Sequence, residues 1–106
     1  MKKPYDFGLS EEILQQIKSV FKKYGEIQKA SIFGSRVTNE YRKNSDIDIV
    51  IYSPNLDLST YLLILSELNQ INTLLNIDLI HYERIKNTKL KEDIQKKSVE
   101  IYSKAE

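Results

Sequence analysis

The chain reads as an α/β (α+β) protein: a small mixed β-sheet of about three strands with helices packed on it. Three observations point there. Strand-like runs occur at Ile27 to Phe33, Asp46 to Tyr52 and Ile77 to Tyr82, the middle one rich in β-branched residues. Between and around them, apolar residues recur at the spacing of an amphipathic helix. No repeat, low-complexity tract or linker interrupts the 106 residues, so a single domain over 1–106 is expected.

Ser10 followed by Glu11 and Glu12 has the form of a helix start, with a hydroxyl for the free amides and acids at the positive end of the dipole. Ile13, Ile17, Val20, Phe21 and Tyr24 then make one apolar face that stops at Gly25. Ile27 to Phe33 follows as a strand ending at Gly34, and the polar stretch from Ser35 to Ser45 reads as a short helical turn and a loop. Asp46 to Tyr52 is the second strand, bounded by Ser53-Pro54-Asn55. Ser59 can cap a long helix whose face includes Leu62, Leu65, Leu68, Ile71 and Leu75. After the strand at Ile77, Thr88 can cap a last helix carrying Leu90, Ile94, Ser98 and Ile101. The long helix between strands two and three suits a parallel crossover, and the short link between strands one and two suits an antiparallel pair.

Composition excludes several classes of function. Sixteen basic residues face fifteen acidic ones, so direct nucleic-acid binding and an anionic membrane partner have no electrostatic footprint. With no Cys and one His, thiolate sites and ordinary zinc centres are ruled out. The longest apolar run, Tyr61 to Leu65, is far short of the ~18 residues of a membrane helix. The basic N-terminus has no apolar stretch behind it, so no signal peptide and a cytoplasmic location are expected. A core this small leaves room for a homo- or hetero-oligomeric partner surface.

The chemistry concentrates in two places. Alternation puts Asp46 and Asp48 on one strand face and Ile47, Ile49 and Ile51 on the other, where they can bury. Two carboxylates this close repel unless a cation shares the site, and a hard divalent ion such as Mg²⁺ is the natural remedy. An isolated Asp-x-Asp also fits a solvated strand face. Gly34-Ser35 stands where a strand passes into a helical turn, so a phosphate can approach the backbone and opening amides closely; alone it also fits an ordinary turn. Together they form Gly-Ser-x10-Asp-x-Asp, a pattern that composition frequencies yield by chance about once in 10³ such chains.

This pattern resembles the nucleotidyltransferase superfamily related to polymerase β, and at this length the minimal, MNT-type antitoxins that accompany HEPN-domain toxins. The resemblance runs through Ser31 to Arg36, Ser45 to Val50 and Asn76 to Ile80. It implies a third carboxylate on the later strand, here Asp78, and transfer of a nucleoside monophosphate from a triphosphate to a hydroxyl with release of pyrophosphate. For MNT antitoxins it further implies AMP transfer from ATP onto a tyrosine of a HEPN toxin partner. Asp46, Asp48 and Asp78 would then be catalytic and hold metal, as one or, more in keeping with attack at an α-phosphate, two Mg²⁺ ions. Gly34, Ser35, Arg36 and Ser45 would bind the nucleotide. Arg42 and Lys43 are further cations for a triphosphate, and Tyr41 lies in the same loop. His81 falls on the opposite side of its strand from Asp78. Two alternatives remain open: a non-catalytic antitoxin that masks its toxin, and transfer to a small-molecule hydroxyl.

Overall fold

A computed structural model describes residues 7–38, 40, 42, 45–71 and 75–104. Tyr41 and Lys43 lie outside them. The order is α1 (Glu11–Lys22), β1 (Lys29–Phe33), α2 (Ser35–Thr38), β2 (Ile47–Tyr52), α3 (Leu58–Leu68), β3 (Ile77–His81), a 3₁₀ turn (Tyr82–Arg84), α4 (Thr88–Lys96) and β4 (Ser98–Ser103).

The sheet is mixed, as expected, but it has four strands, in the order β3-β2-β1-β4. β1 pairs antiparallel with both β2 and β4, while β2 and β3 run parallel through the α3 crossover. The fourth strand corrects the expectation that the last helix extends through Ser98 and Ile101. That helix ends at Lys96, and Lys97 leaves it with φ −135°. Val99 and Ile101 alternate with Glu100, a period-two signal too short to stand alone. Pairing with β1, whose second edge is otherwise open, decides it.

Two caps also move by one or two residues. Asp57, not Ser59, caps α3 by accepting from the Thr60 amide, and Asn87, not Thr88, caps α4 by accepting from the Leu90 amide. α3 is shorter than the apolar spacing suggests, ending at Leu68, so Ile71 and Leu75 lie beyond it. Ser10 caps α1 as expected.

The core sits between the sheet and helices α1 and α3. Ile17, Phe21, Ile27, Ile32, Ile47, Ile49, Ile51, Ile64 and Leu68 are fully buried. Burying Ile47, Ile49 and Ile51 anchors the register of β2, because a slip of one residue would drive its acids into the core. Among the described residues, no helix is long and apolar enough to cross a membrane.

Candidate active site

Register assembles the site from three strands. Antiparallel pairing sets Phe33, the last residue of β1, opposite Asp48, and so brings Gly34 beside that carboxylate. Parallel pairing sets Asp48 beside Asp78. Residues matched in this way project to the same sheet face, and the two carboxyls share a hydrogen bond.

Gly34 has φ +83°, a left-handed conformation that glycine adopts without cost. A Cβ there would stand 2.6 Å from Oδ2 of Asp48. Both facts require glycine: the turn needs the dihedral, and the acid needs the space. The Gly34 carbonyl then accepts from the amides of Val37 (3.0 Å) and Thr38 (3.3 Å), which turns the chain into α2.

Electrostatics mark the same spot. Partial burial, the neighbouring Asp78 and Asp46 charges and the hydrogen bond to Asp78 push the Asp48 carboxyl from 3.8 up to about 6, with Arg36 pulling the other way. Asp46 itself is exposed, just ahead of β2. A cleft of about 370 Å³ opens beside the acids, walled by Phe33, Tyr61, Leu65, Leu79, Ile80 and Leu90 as well as Asp48 and Asp78. Tyr61 is a wall residue that sequence reasoning passes over. Its hydroxyl donates to the Leu79 carbonyl at 2.6 Å, and burial together with Asp78 raises its pKa.

Two of the residues expected to bind nucleotide, Arg36 and Ser45, are tied into the loop framework. Arg36 is 2% exposed, and its guanidinium donates to the carbonyls of Phe7 (2.8 Å), Ser45 (2.7 Å) and Asp46 (3.3 Å). It pins the chain immediately before β2, and thereby Asp46 and Asp48, onto α2. Ser45 closes a local turn: its hydroxyl accepts from the Arg42 amide at 2.7 Å and its own amide donates to the Arg42 carbonyl. The sequence shows a cation and a hydroxyl near the acids; the Arg36 partners lie 9, 10 and 29 positions away, which no spacing rule reveals, whereas Ser45 bonds three positions back within its own turn. His81 is buried away from the acids, as alternation requires, with Nε2 2.7 Å from the Ser53 carbonyl and 3.3 Å from Oε1 of Glu83.

The donor set suits a hard cation. Asp48 and Asp78 offer oxygen ligands only, and their mutual repulsion is what a divalent charge relieves. Among the described residues no three carboxylate or imidazole side chains are gathered into a ready-made metal cage. Two converging carboxylates agree with the habit of Mg²⁺, which commonly takes one or two protein carboxylates and completes its shell with water and substrate phosphates.

The family model of the polymerase beta nucleotidyltransferases matches residues 15–106. The chain belongs to that family. As a nucleotidyltransferase it also has the expected structural likenesses. A toxin–antitoxin crystal structure with AMP-PNP superposes with a TM-score of 0.72 at 19% identity, over 86% of this chain and 73% of that one. A structure of the MntA–HepT toxin–antitoxin gives 0.68 at 18% identity, over 90% and 74%. A tri-AMPylated Shewanella oneidensis HEPN toxin in complex with its MNT antitoxin gives 0.67 at 17% identity, over 89% and 72%. At these identities the likeness speaks for the fold. No curated protein sequence matches the chain.

Proposed function

We propose that this nucleotidyltransferase transfers AMP from ATP to a tyrosine hydroxyl of a HEPN-type toxin and acts as its antitoxin. The observation that carries the reading is the Asp48–Asp78 pair held against the Gly34 turn, at the mouth of an open cleft. The partner is supported by the fold-level likeness to MNT antitoxins bound to HEPN toxins.

In the reaction, the acceptor oxygen forms a bond to the α-phosphorus while the α–β bridging bond breaks, and its electron pair leaves with pyrophosphate. Gly34 and Ser35 seat the phosphates, because the bare glycine lets them reach the backbone. Asp78 accepts the hydroxyl proton. Arg36 acts through the backbone, holding Asp46 and Asp48 at the turn. Mg²⁺ would be held by the converging Asp48 and Asp78, with the exposed Asp46 as the third expected ligand, and would supply charge neutralisation at the attacking and leaving oxygens.

The test is label transfer from α-³²P-ATP to a purified HEPN toxin. Asp46→Asn with Asp48→Asn abolishes transfer while the fold persists; a doubly substituted protein that still labels the toxin refutes the assignment. Full rescue of toxin-arrested cells by that same variant identifies masking, not transfer, as the antitoxin mechanism.

A further inference from the structure

α3 departs from the usual pattern of a surface helix. Its sequence, Leu-Ser-Thr-Tyr-Leu-Leu-Ile-Leu-Ser-Glu-Leu, is apolar on nearly every side, yet only Ile64 and Leu68 are buried. Leu58, Leu62 and Leu63 are 56%, 52% and 58% exposed. A helix apolar all round is ordinarily covered all round. α1, whose outer face carries Glu, Gln and Lys, shows what the solvated alternative looks like in the same chain.

Beside the Leu58 end of α3 lies a groove of about 390 Å³, lined by Leu58, Tyr61, Leu79, Ile85 and Leu90 among others. Its far wall is the start of α4. Tyr61, Leu79, Ile80 and Leu90 line both this groove and the cleft that holds Asp48 and Asp78, so the two are one continuous depression. Leu62 lies one helical turn from Leu58 and extends the same face.

Strand order gives the depression a direction. The Gly34 turn ends β1 and Asp78 lies on β3, with Asp48 between them on β2. Neighbouring strands are ~4.8 Å apart, so the turn and Asp78 are separated by about 10 Å. In-line displacement needs the attacking and leaving oxygens on opposite sides of phosphorus. With the phosphates seated at β1, the hydroxyl arrives from the β3 side, which is where the groove opens.

We infer that the groove formed by Leu58, Tyr61, Leu79, Ile85 and Leu90, continued by Leu62, is the docking site for an apolar segment of the acceptor protein that carries the modified tyrosine. This inference rests on the transfer reading above. The occupant is an acceptor polypeptide, because the groove drains into the reacting centre and its walls are mostly apolar, His81, Arg84, Lys86 and Asn87 being the polar members of the lining. A second copy of this chain would have no need of that continuity.

The experiment uses the full chain, the Leu58→Gln/Leu62→Gln double variant and Leu63→Gln as a control of equal exposure off the groove. Three measurements are made: melting temperature, AMP-PNP affinity, and labelling of a purified HEPN toxin from α-³²P-ATP. NMR titration with the blocked peptides Leu-Tyr-Leu and Ser-Tyr-Ser supplies a readout independent of transfer. The double variant is expected to keep its melting temperature and AMP-PNP affinity and to lose at least tenfold in toxin labelling, with Leu63→Gln unchanged. Leu-Tyr-Leu is expected to shift the amides of Tyr61, Leu79, Ile85 and Leu90 in the parent chain, more than Ser-Tyr-Ser does, and not in the double variant. Normal labelling by the double variant, or Leu-Tyr-Leu shifts elsewhere, overturns the inference. A dimeric parent that becomes monomeric on substitution, with labelling intact, overturns it in favour of self-association. If the parent chain itself labels no toxin, the transfer reading fails, and the groove is then judged on the peptide shifts alone.

Discussion

Replacing Asp48 by Asn sets stability against function. Burial and the neighbouring acids lift the Asp48 carboxyl from 3.8 to about 6, so the folded chain holds this proton more tightly than the unfolded chain does. Ionising Asp48 therefore costs stability: the cost is absent below about pH 4, grows as pH rises, and is complete above about pH 6. The full shift corresponds to about 3 kcal/mol. Because the side chain is only partly buried, solvent screening reduces this to about 1–2 kcal/mol. Asn is nearly isosteric and its amide can still donate to Asp78. In EDTA at pH 7.5, Asp48→Asn should thus be more stable than the parent by about 1–2 kcal/mol, or roughly 4–12 °C in Tm. At pH 4 the two should melt together. Label transfer should be lost at every pH. Urea unfolding followed by circular dichroism at pH 4, 6 and 7.5 measures the difference. A variant less stable than the parent at pH 7.5, or a gap that ignores pH, would show that the acids are not held against one another.

Gly34→Ala should cost about 1–2 kcal/mol from its left-handed dihedral. Its larger effect should be on nucleotide affinity, since the methyl displaces Oδ2 of Asp48; calorimetric titration with AMP-PNP reads this, and unchanged affinity argues against the turn as the phosphate seat. Arg36→Ala strips one buried and two partly buried carbonyls of this donor and should lower stability by about 2–4 kcal/mol in urea. Lysine should restore little, because a single ammonium lacks the planar fork. A stable Arg36→Ala protein that fails to bind AMP-PNP would instead make the side chain a phosphate ligand. Asn87→Ala removes the cap of α4 and should cost about 1 kcal/mol by thermal melting, without changing AMP-PNP affinity.

How much of the site is legible in the chain differs from residue to residue. Asp46 and Asp48 stand out because alternation with Ile47, Ile49 and Ile51 is a local property that survives into the fold unchanged. Gly34 stands out because it ends a strand-like run. Arg36 is visible as a cation near the acids, but its work is not: the carbonyl of Phe7, which it holds, is 29 positions away. Tyr61 reads as one aromatic in an apolar run, and only the edge carbonyl of Leu79 reveals it as a wall of the cleft. The fourth strand is obscured by Ile94, Ser98 and Ile101, whose spacing also fits a helix; pairing with β1 overrides that local preference.

From residue order alone come the helices and three of the four strands, the commitment of the acid pair to one sheet face and the kinship with nucleotidyltransferases, because periodicity and short motifs are properties of neighbours along the chain. The meeting of Asp48 with Asp78, the seat of Gly34 against that carboxylate and the groove beside α3 arise from strand register and helix packing. These join residues 14 and 30 positions apart, and such contacts exist only once the buried isoleucines have locked the sheet in place.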